Sequence, residues 1–250
     1  GTVKSKTRVQ VDYSEIGNIS LAGNGTLNAG EGASFAKIHI GNNASGAKVN
    51  ISKNSTVNDV AVSAKAKISI AGAVKNVTVN ENATSANEIE VKVENTAKVE
   101  KVELKAPAKV DVKGEVKNVA IAETAKTETA NVEVKVSETA SVHQIEMQAK
   151  TELEVKGSIG NMVVGDKAVG TTVNVTSEEA NVGRVVINAT ETKIQGDAAT
   201  SIDKVVVSKE IETEVEVVAE PEVADETIEE PTTEEPAAEE PIEAEVAADE

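Results

Sequence analysis

Ten segments of the chain share one hydrophobic spacing: an apolar residue, a second three positions on, and a third two positions beyond that. They begin at Ile16, Phe35, Val57, Val74, Val99, Val116, Val142, Ile159, Val182 and Ile202. In a flat strand, side chains alternate between faces, so residues three apart point in opposite directions. All three members share one interior only if the backbone bends between the first and the second. A bend followed by a short strand, repeated along a chain, predicts a coil that returns on itself. Between these segments lie shorter, strictly alternating stretches, among them Val49/Ile51, Ile68/Ile70, Val110/Val112 and Val173/Val175. Their period of two predicts a second strand in each coil, with one face buried and the other in water.

Successive segments start 17–26 residues apart, and from Val57 onward short and long intervals alternate. Two intervals make a larger unit of about 42 residues, which ends at Gly72, Gly114, Gly157 and Gly196. The related stretches AVKNVTV (73–79), EVKNVAI (115–121) and SIGNMVV (158–164) mark the same unit. Repeats of this length belong to stacked architectures. The predicted fold is all-β: a single-stranded parallel β-helix (β-solenoid) of about ten coils over residues 1–208, expected to wind right-handed. The extra length of the long coils is assigned to loops at 41–48, 80–88, 122–131 and 165–172, which are expected to project from one side. Asn18, Asn76, Asn118 and Asn161 each stand just before the second apolar member. Asparagine tolerates left-handed backbone, so these positions and the four glycines are expected to shape the turns. Stacked at the same corner of alternate coils, the asparagines could also form a hydrogen-bonded ladder, although a plain turn role is the favoured reading.

Composition changes the picture in two ways. Tyr13 and Phe35 are the sole aromatic residues, so the core must be built from Val, Ile and Ala, as suits a narrow stacked interior. The charge of −18 is unevenly spread. Residues 209–250 hold 18 acids and one Lys, a net of −17, which leaves the remaining residues at −1. Four of the five prolines and three EEP triplets fall in that stretch. Such a composition cannot support a core and predicts a disordered acidic tail or linker. The near-neutral body lacks the basic field that nucleic acid requires. No apolar run is long enough for a membrane-spanning helix. The chain opens on Gly1 and reads as an excerpt or a processed product.

The sequence shows no catalytic, cofactor-binding or metal-site pattern. With no Cys, thiolate ligands and disulfides are excluded. His39 and His143 are far apart in the stack and lack metal-ligand spacing. The aspartates of the body (12, 59, 111, 166, 197 and 203) are scattered, and Arg184 stands alone at a bend. Lys and Glu alternate on outward strand positions, as in Glu90/Lys92/Glu94 and Glu133/Lys135. That pattern predicts a solvated sheet face laced with cross-strand ion pairs. The expected class is non-enzymatic.

At VDVKGEVKNVAI and LEVKGSIGNMVV the chain resembles the β-solenoid repeat regions of Gram-positive, S-layer-type surface proteins. The resemblance covers about residues 16–207. It implies an extracellular module on a bacterial cell surface, acting as a non-catalytic spacer or display element. It further implies cell-wall polymers or other surface proteins as partners, reached through flanking modules. The strand-Gly-strand register of ISIAGAVKNVTV is also similar to bactofilins, which implies a polymer-forming scaffold as an alternative. A carbohydrate-binding or adhesive module using the long-coil loops is a further one.

Overall fold

The computed structural model describes residues 1–3, 6–84, 88–125, 131–196, 201–208 and 216–217. Strands follow one another with almost no helix: β1 (Thr2–Val3), β2 (Arg8–Val11), β3 (Glu15–Leu21), β4 (Thr26–Ala29), β5 (Ser34–Ile40), β6 (Ala47–Ile51), β7 (Thr56–Ala64), β8 (Ala66–Ile70), β9 (Ala73–Thr84), β10 (Glu90–Val93) and β11 (Lys98–Leu104). The second half continues with β12 (Lys109–Val112), β13 (Glu115–Ile121), β14 (Val132–Val136), β15 (Ser141–Met147), β16 (Thr151–Val155), β17 (Ser158–Val164), β18 (Thr172–Val175), β19 (Asn181–Ile187), β20 (Lys193–Gly196), β21 (Ser201–Val207) and β22 (Glu216–Val217). Odd-numbered strands form one parallel sheet of eleven and even-numbered strands form a second. Each coil therefore contributes one strand to each sheet, and the chain is a parallel β-solenoid of about ten turns.

The hydrophobic spacing maps directly onto the first sheet. In β13, Val116, Val119 and Ile121 are buried, while Lys117 and Asn118 both face out. The ladder skips position 117: Val116 pairs with Val142 and Asn118 with Gln144, and the residue between them has no partner in the register. The same gap recurs in β3, β5, β17 and β19. That unpaired residue is the bend. It lets residues three apart share one interior, because the backbone turns between two consecutive outward positions. The second sheet is flat, with strict alternation, as in Val110 and Val112 of β12. Five inward side chains per coil, each worth about 1.5–3 kcal/mol on burial, form one continuous core between the sheets. At the usual strand spacing, eleven strands span about 48 Å.

Four details depart from the sequence reading. An additional coil precedes the ten: Thr2 and Val3 pair with Ser20 and Leu21. Only the last member of the hydrophobic triplet, Val3, is present there, so the pattern does not announce it. Second, residues 80–84 are not a loop but the continuation of β9, which pairs Thr84 with Ala64 past a register shift. Residues 47 and 48 likewise belong to β6. Residues 85–87 and 126–130 of the long loops lie outside the described residues.

Third, the extra residues of long coils enter at both rims. The rim from the second sheet back to the first alternates four-residue turns, at 52–55, 94–97 and 137–140, with two-residue corners at 71–72, 113–114 and 156–157. In the wide turns the fourth amide donates to the first carbonyl, as in Ala97 N to Glu94 O at 2.8 Å and Ala140 N to Ser137 O at 2.8 Å. Finally, Glu216 and Val217 pair with Lys193 and Ile194, as an added strand within the stretch assigned to the tail. The rest of 209–250 lies outside the described residues.

Candidate functional site: the outer face of the second sheet

Because the register is shared down the stack, outward side chains of the second sheet fall into columns. One runs Lys48, Lys67, Glu90, Lys109, Glu133, Glu152 on successive coils. A second, two residues along each strand, runs Ser69, Lys92, Asp111, Lys135, Glu154. A third begins where the strands end and includes Glu94 and Lys113. Signs alternate down each column across the middle coils, so each charge has an opposite neighbour about 4.8 Å away.

The ion pairs follow from that placement. Lys67 Nζ lies 2.9 Å from Glu90 Oε2 and Lys109 Nζ lies 2.8 Å from Glu133 Oε2 within the first column. Lys135 reaches Glu154 at 3.1 Å in the second, and Lys156 reaches the other oxygen of Glu154 at 3.3 Å. Lys92 pairs along its own strand with Glu94 at 2.9 Å. The lysines hold Glu94 below the usual carboxylate range, chiefly through the Lys92 hydrogen bond, with Ser69 also donating. At Glu154 partial burial pushes the carboxyl up, but the bonds from Lys135 and Lys156 together outweigh it and the net direction is down. Glu133 raises the Lys109 ammonium by hydrogen bond and charge. Side chains of the first two columns stand as walls over the backbone of Val91, Val110, Val134 and Leu153, enclosing an open trough of about 740 Å³. Gly196 lines one end of it.

Each residue singled out from sequence has a definite place. Asn18, Asn76, Asn118 and Asn161 all stand in the bend column of the first sheet, directly after the unpaired position. None has left-handed backbone. They do not stack on one another: Lys37 and Asp59 separate Asn18 from Asn76, Lys101 separates Asn76 from Asn118, and Gln144 separates Asn118 from Asn161. The bond found there is Asn76 Nδ2 donating to Asp59 Oδ1 at 2.9 Å. An amide ladder does occur, but on the second sheet, where Asn50 Nδ2 donates to Asn28 Oδ1 at 2.8 Å. The sequence signal for it was the shared register of two alternating strands, 22 residues apart.

Gly72, Gly114 and Gly157 occupy the two-residue corners, whereas Gly196 ends β20 and pairs with Val175, two positions earlier in register. His39 and His143 lie on outward positions of β5 and β15. His143 borders a smaller hollow of about 320 Å³ with Ser141, Ser158 and Gly160. Among the described residues, no three His, Asp or Glu side chains converge as a metal site requires. No helix among them is long and apolar enough to cross a membrane. Compared with known proteins, the chain matches no protein-family model, no curated protein and no solved structure. The chemistry the face offers is a regular lattice of opposite charges over a hydrogen-bonded parallel sheet.

Proposed function

We propose that the chain is a non-catalytic structural spacer or display module of a bacterial cell-surface protein. The observation that supports this reading best is the pair of uninterrupted eleven-strand ladders around a single core. Each coil is fixed by both neighbours, and bending the stack would open backbone hydrogen bonds and core contacts together. The outward ion pairs tie adjacent coils again from outside. Among the described residues, connections from the first sheet to the second vary from the single residue Lys65 to the segment 165–171, at the same rim, which suits a row of displayed loops. Cell-wall polymers or neighbouring surface proteins would be engaged through flanking modules.

The absence of Cys makes a direct test clean. Spin labels on cysteines replacing Asn28 and Asn174, seven coils apart in one column, should lie about 34 Å apart with a narrow distance distribution. A broad distribution would sink the rigid-spacer reading. In the host, exchanging residues 16–207 for an unrelated rod of the same length should preserve the role of the flanking modules. Loss of that role would point to a ligand on this chain instead.

A further inference from the structure

The charge lattice of the second sheet has a symmetry of its own. A line along the strands, midway between β10 and β12, lies at the centre of the ten strands β2 to β20. A half-turn about that line carries each coil onto its counterpart on the other side and leaves each column over itself. Under this operation Glu90 faces Lys109, Lys67 faces Glu133 and Lys48 faces Glu152 in the first column. In the second, Lys92 faces Asp111, Asn28 faces Asn174 and Gln10 faces Gln195. In the third, Glu94 faces Lys113. Among the described residues of these columns, only Arg8 and Lys193 bring like charges together, at the outermost coils.

We infer that two copies of this chain associate face to face through the outer side of the second sheet, running antiparallel about this two-fold axis. The surface is self-complementary as an isologous interface demands. Neighbouring antiparallel arrangements match less well: moved by one coil, the axis sets Glu90 on Glu152 and leaves Lys67 and Lys48 without an opposite charge. Moving the axis by half a coil sets Glu90 on Glu90 and Lys67 on Lys109. Running the copies parallel sets Lys92 on Lys92 when the axis lies over the second column; midway between the first two columns it pairs Glu90 with Lys92, Lys109 with Asp111 and Glu133 with Lys135 but sets Glu152 on Glu154 and leaves Lys48 and Lys67 without an opposite charge. The side chains concerned are available, with Lys67 61%, Glu90 49%, Lys109 55% and Glu133 48% exposed. The trough above Val110 and Val134 gives the partner's standing side chains a place to enter. The antiparallel sense also puts the two copies of Ser208, from which each acidic stretch continues, at opposite ends. A parallel pair would hold two stretches of like charge side by side.

The six central coils offer a patch of about 29 by 16 Å, roughly 450 Å² per copy, near half of what a standard interface buries on each side. The association is therefore weak, driven by charge and lost in salt. It is independent of the spacer reading, since the lattice would pair whatever the chain carries.

Lys48→Glu provides the sharpest test. Within one chain Lys48 stacks on Lys67, and Glu152 stacks on Glu133, so reversing either charge relieves a like-charge contact in the monomer. Across the interface the same change sets Glu against Glu152 twice. Sedimentation equilibrium of the full chain at low ionic strength should show a monomer–dimer equilibrium that high salt abolishes. K48E should weaken it about tenfold without lowering the thermal midpoint, and K48E/E152K should restore it. Spin labels on single cysteines should place Asn28 about 34 Å along the axis from its mate in the other copy, and Ser69 about 14 Å from its own. A chain that stays monomeric at low salt, a double variant that fails to recover, or equal distances for the two labels would overturn the inference.

Discussion

Replacing Gly157 by alanine isolates the reason for glycine at the narrow corners. The backbone there is outside the left-handed region, so alanine can adopt it. On conformational grounds alone the change should stabilise by roughly 0.4–1 kcal/mol, because the unfolded chain loses freedom. What opposes it is the coil beneath. A Cβ on Gly157 would fall on the carbonyl oxygens of Ser137 and Ala140, with Ala140 N at 3.3 Å. These atoms belong to a closed four-residue turn whose carbonyls already accept bonds, Ser137 O from Ala140 N at 2.8 Å and Ala140 O from Ser158 N at 3.0 Å. They cannot retreat without breaking the ladder. Overpacking of this kind costs about 1–3 kcal/mol, so the net loss should be near 1–2 kcal/mol. For a chain of this size that lowers the thermal midpoint by roughly 3–6 °C. Gly17→Ala is the internal control, since nothing lies within 4 Å of its added Cβ. Circular dichroism during heating, with urea titration as a second axis, should show Gly157→Ala below the parent and Gly17→Ala level with it or above. Equal midpoints for the parent and Gly157→Ala would refute the packing argument.

Two other outcomes follow from polar contacts. The fully buried Thr171 hydroxyl donates to Ala168 O at 2.7 Å and accepts from Thr151 N at 3.3 Å, so Thr171→Val should cost about 1–3 kcal/mol by urea unfolding. Thr192, whose hydroxyl donates to Ala189 O at 2.9 Å, should lose less on the same change. The carboxyls of Glu94, Glu103 and Glu154 are depressed by their lysines, so the stability they add is present above the ordinary glutamate value. It should be lost as pH falls from that value through the folded-state values. Glu94→Gln should flatten that part of the pH–stability curve, as read from thermal midpoints in buffers spanning the acid range.

Much of the fold was legible because its constraint is local and repeated. The inward triplet such as Val116, Val119 and Ile121 is set by one bend per coil, and a bend leaves two adjacent polar positions in the sequence. The alternating strands of the second sheet obey an even simpler rule. What escaped detection depends on neighbours in the stack. Thr2–Val3 is too short to show a period, and only its register with Ser20 and Leu21 makes it a strand. The extension of β9 to Thr84 exists because Ser63 and Ala64 lie beside it, Asn80 donating to Ser63 Oγ at 2.7 Å. The asparagines of the bend suggested a ladder, but which side chain lies above which depends on coil order, and Lys37, Asp59, Lys101 and Gln144 intervene. On the second sheet, Lys and Glu at alternate outward positions announced ion pairs correctly. Their arrangement about a central axis emerges only once the register is known.

The alternation of wide turns and glycine corners sets the unit by which such a chain can grow or shrink. Excising residues 73–114 would remove one wide turn and one corner together and rejoin like with like. Losing a single coil would stack two wide turns or two corners; two wide turns meet where the turn at 30–33 lies against that at 52–55. There Ser55 replaces the alanine found at positions 33, 97, 140 and 180, and its buried hydroxyl lies between Ala29 O, at 2.9 Å, and Gly30 O, with its one proton shared between these acceptors. Tandem duplication by coil pairs needs no such repair, so the gene for this architecture can change length in paired steps while every corner keeps a fitting neighbour.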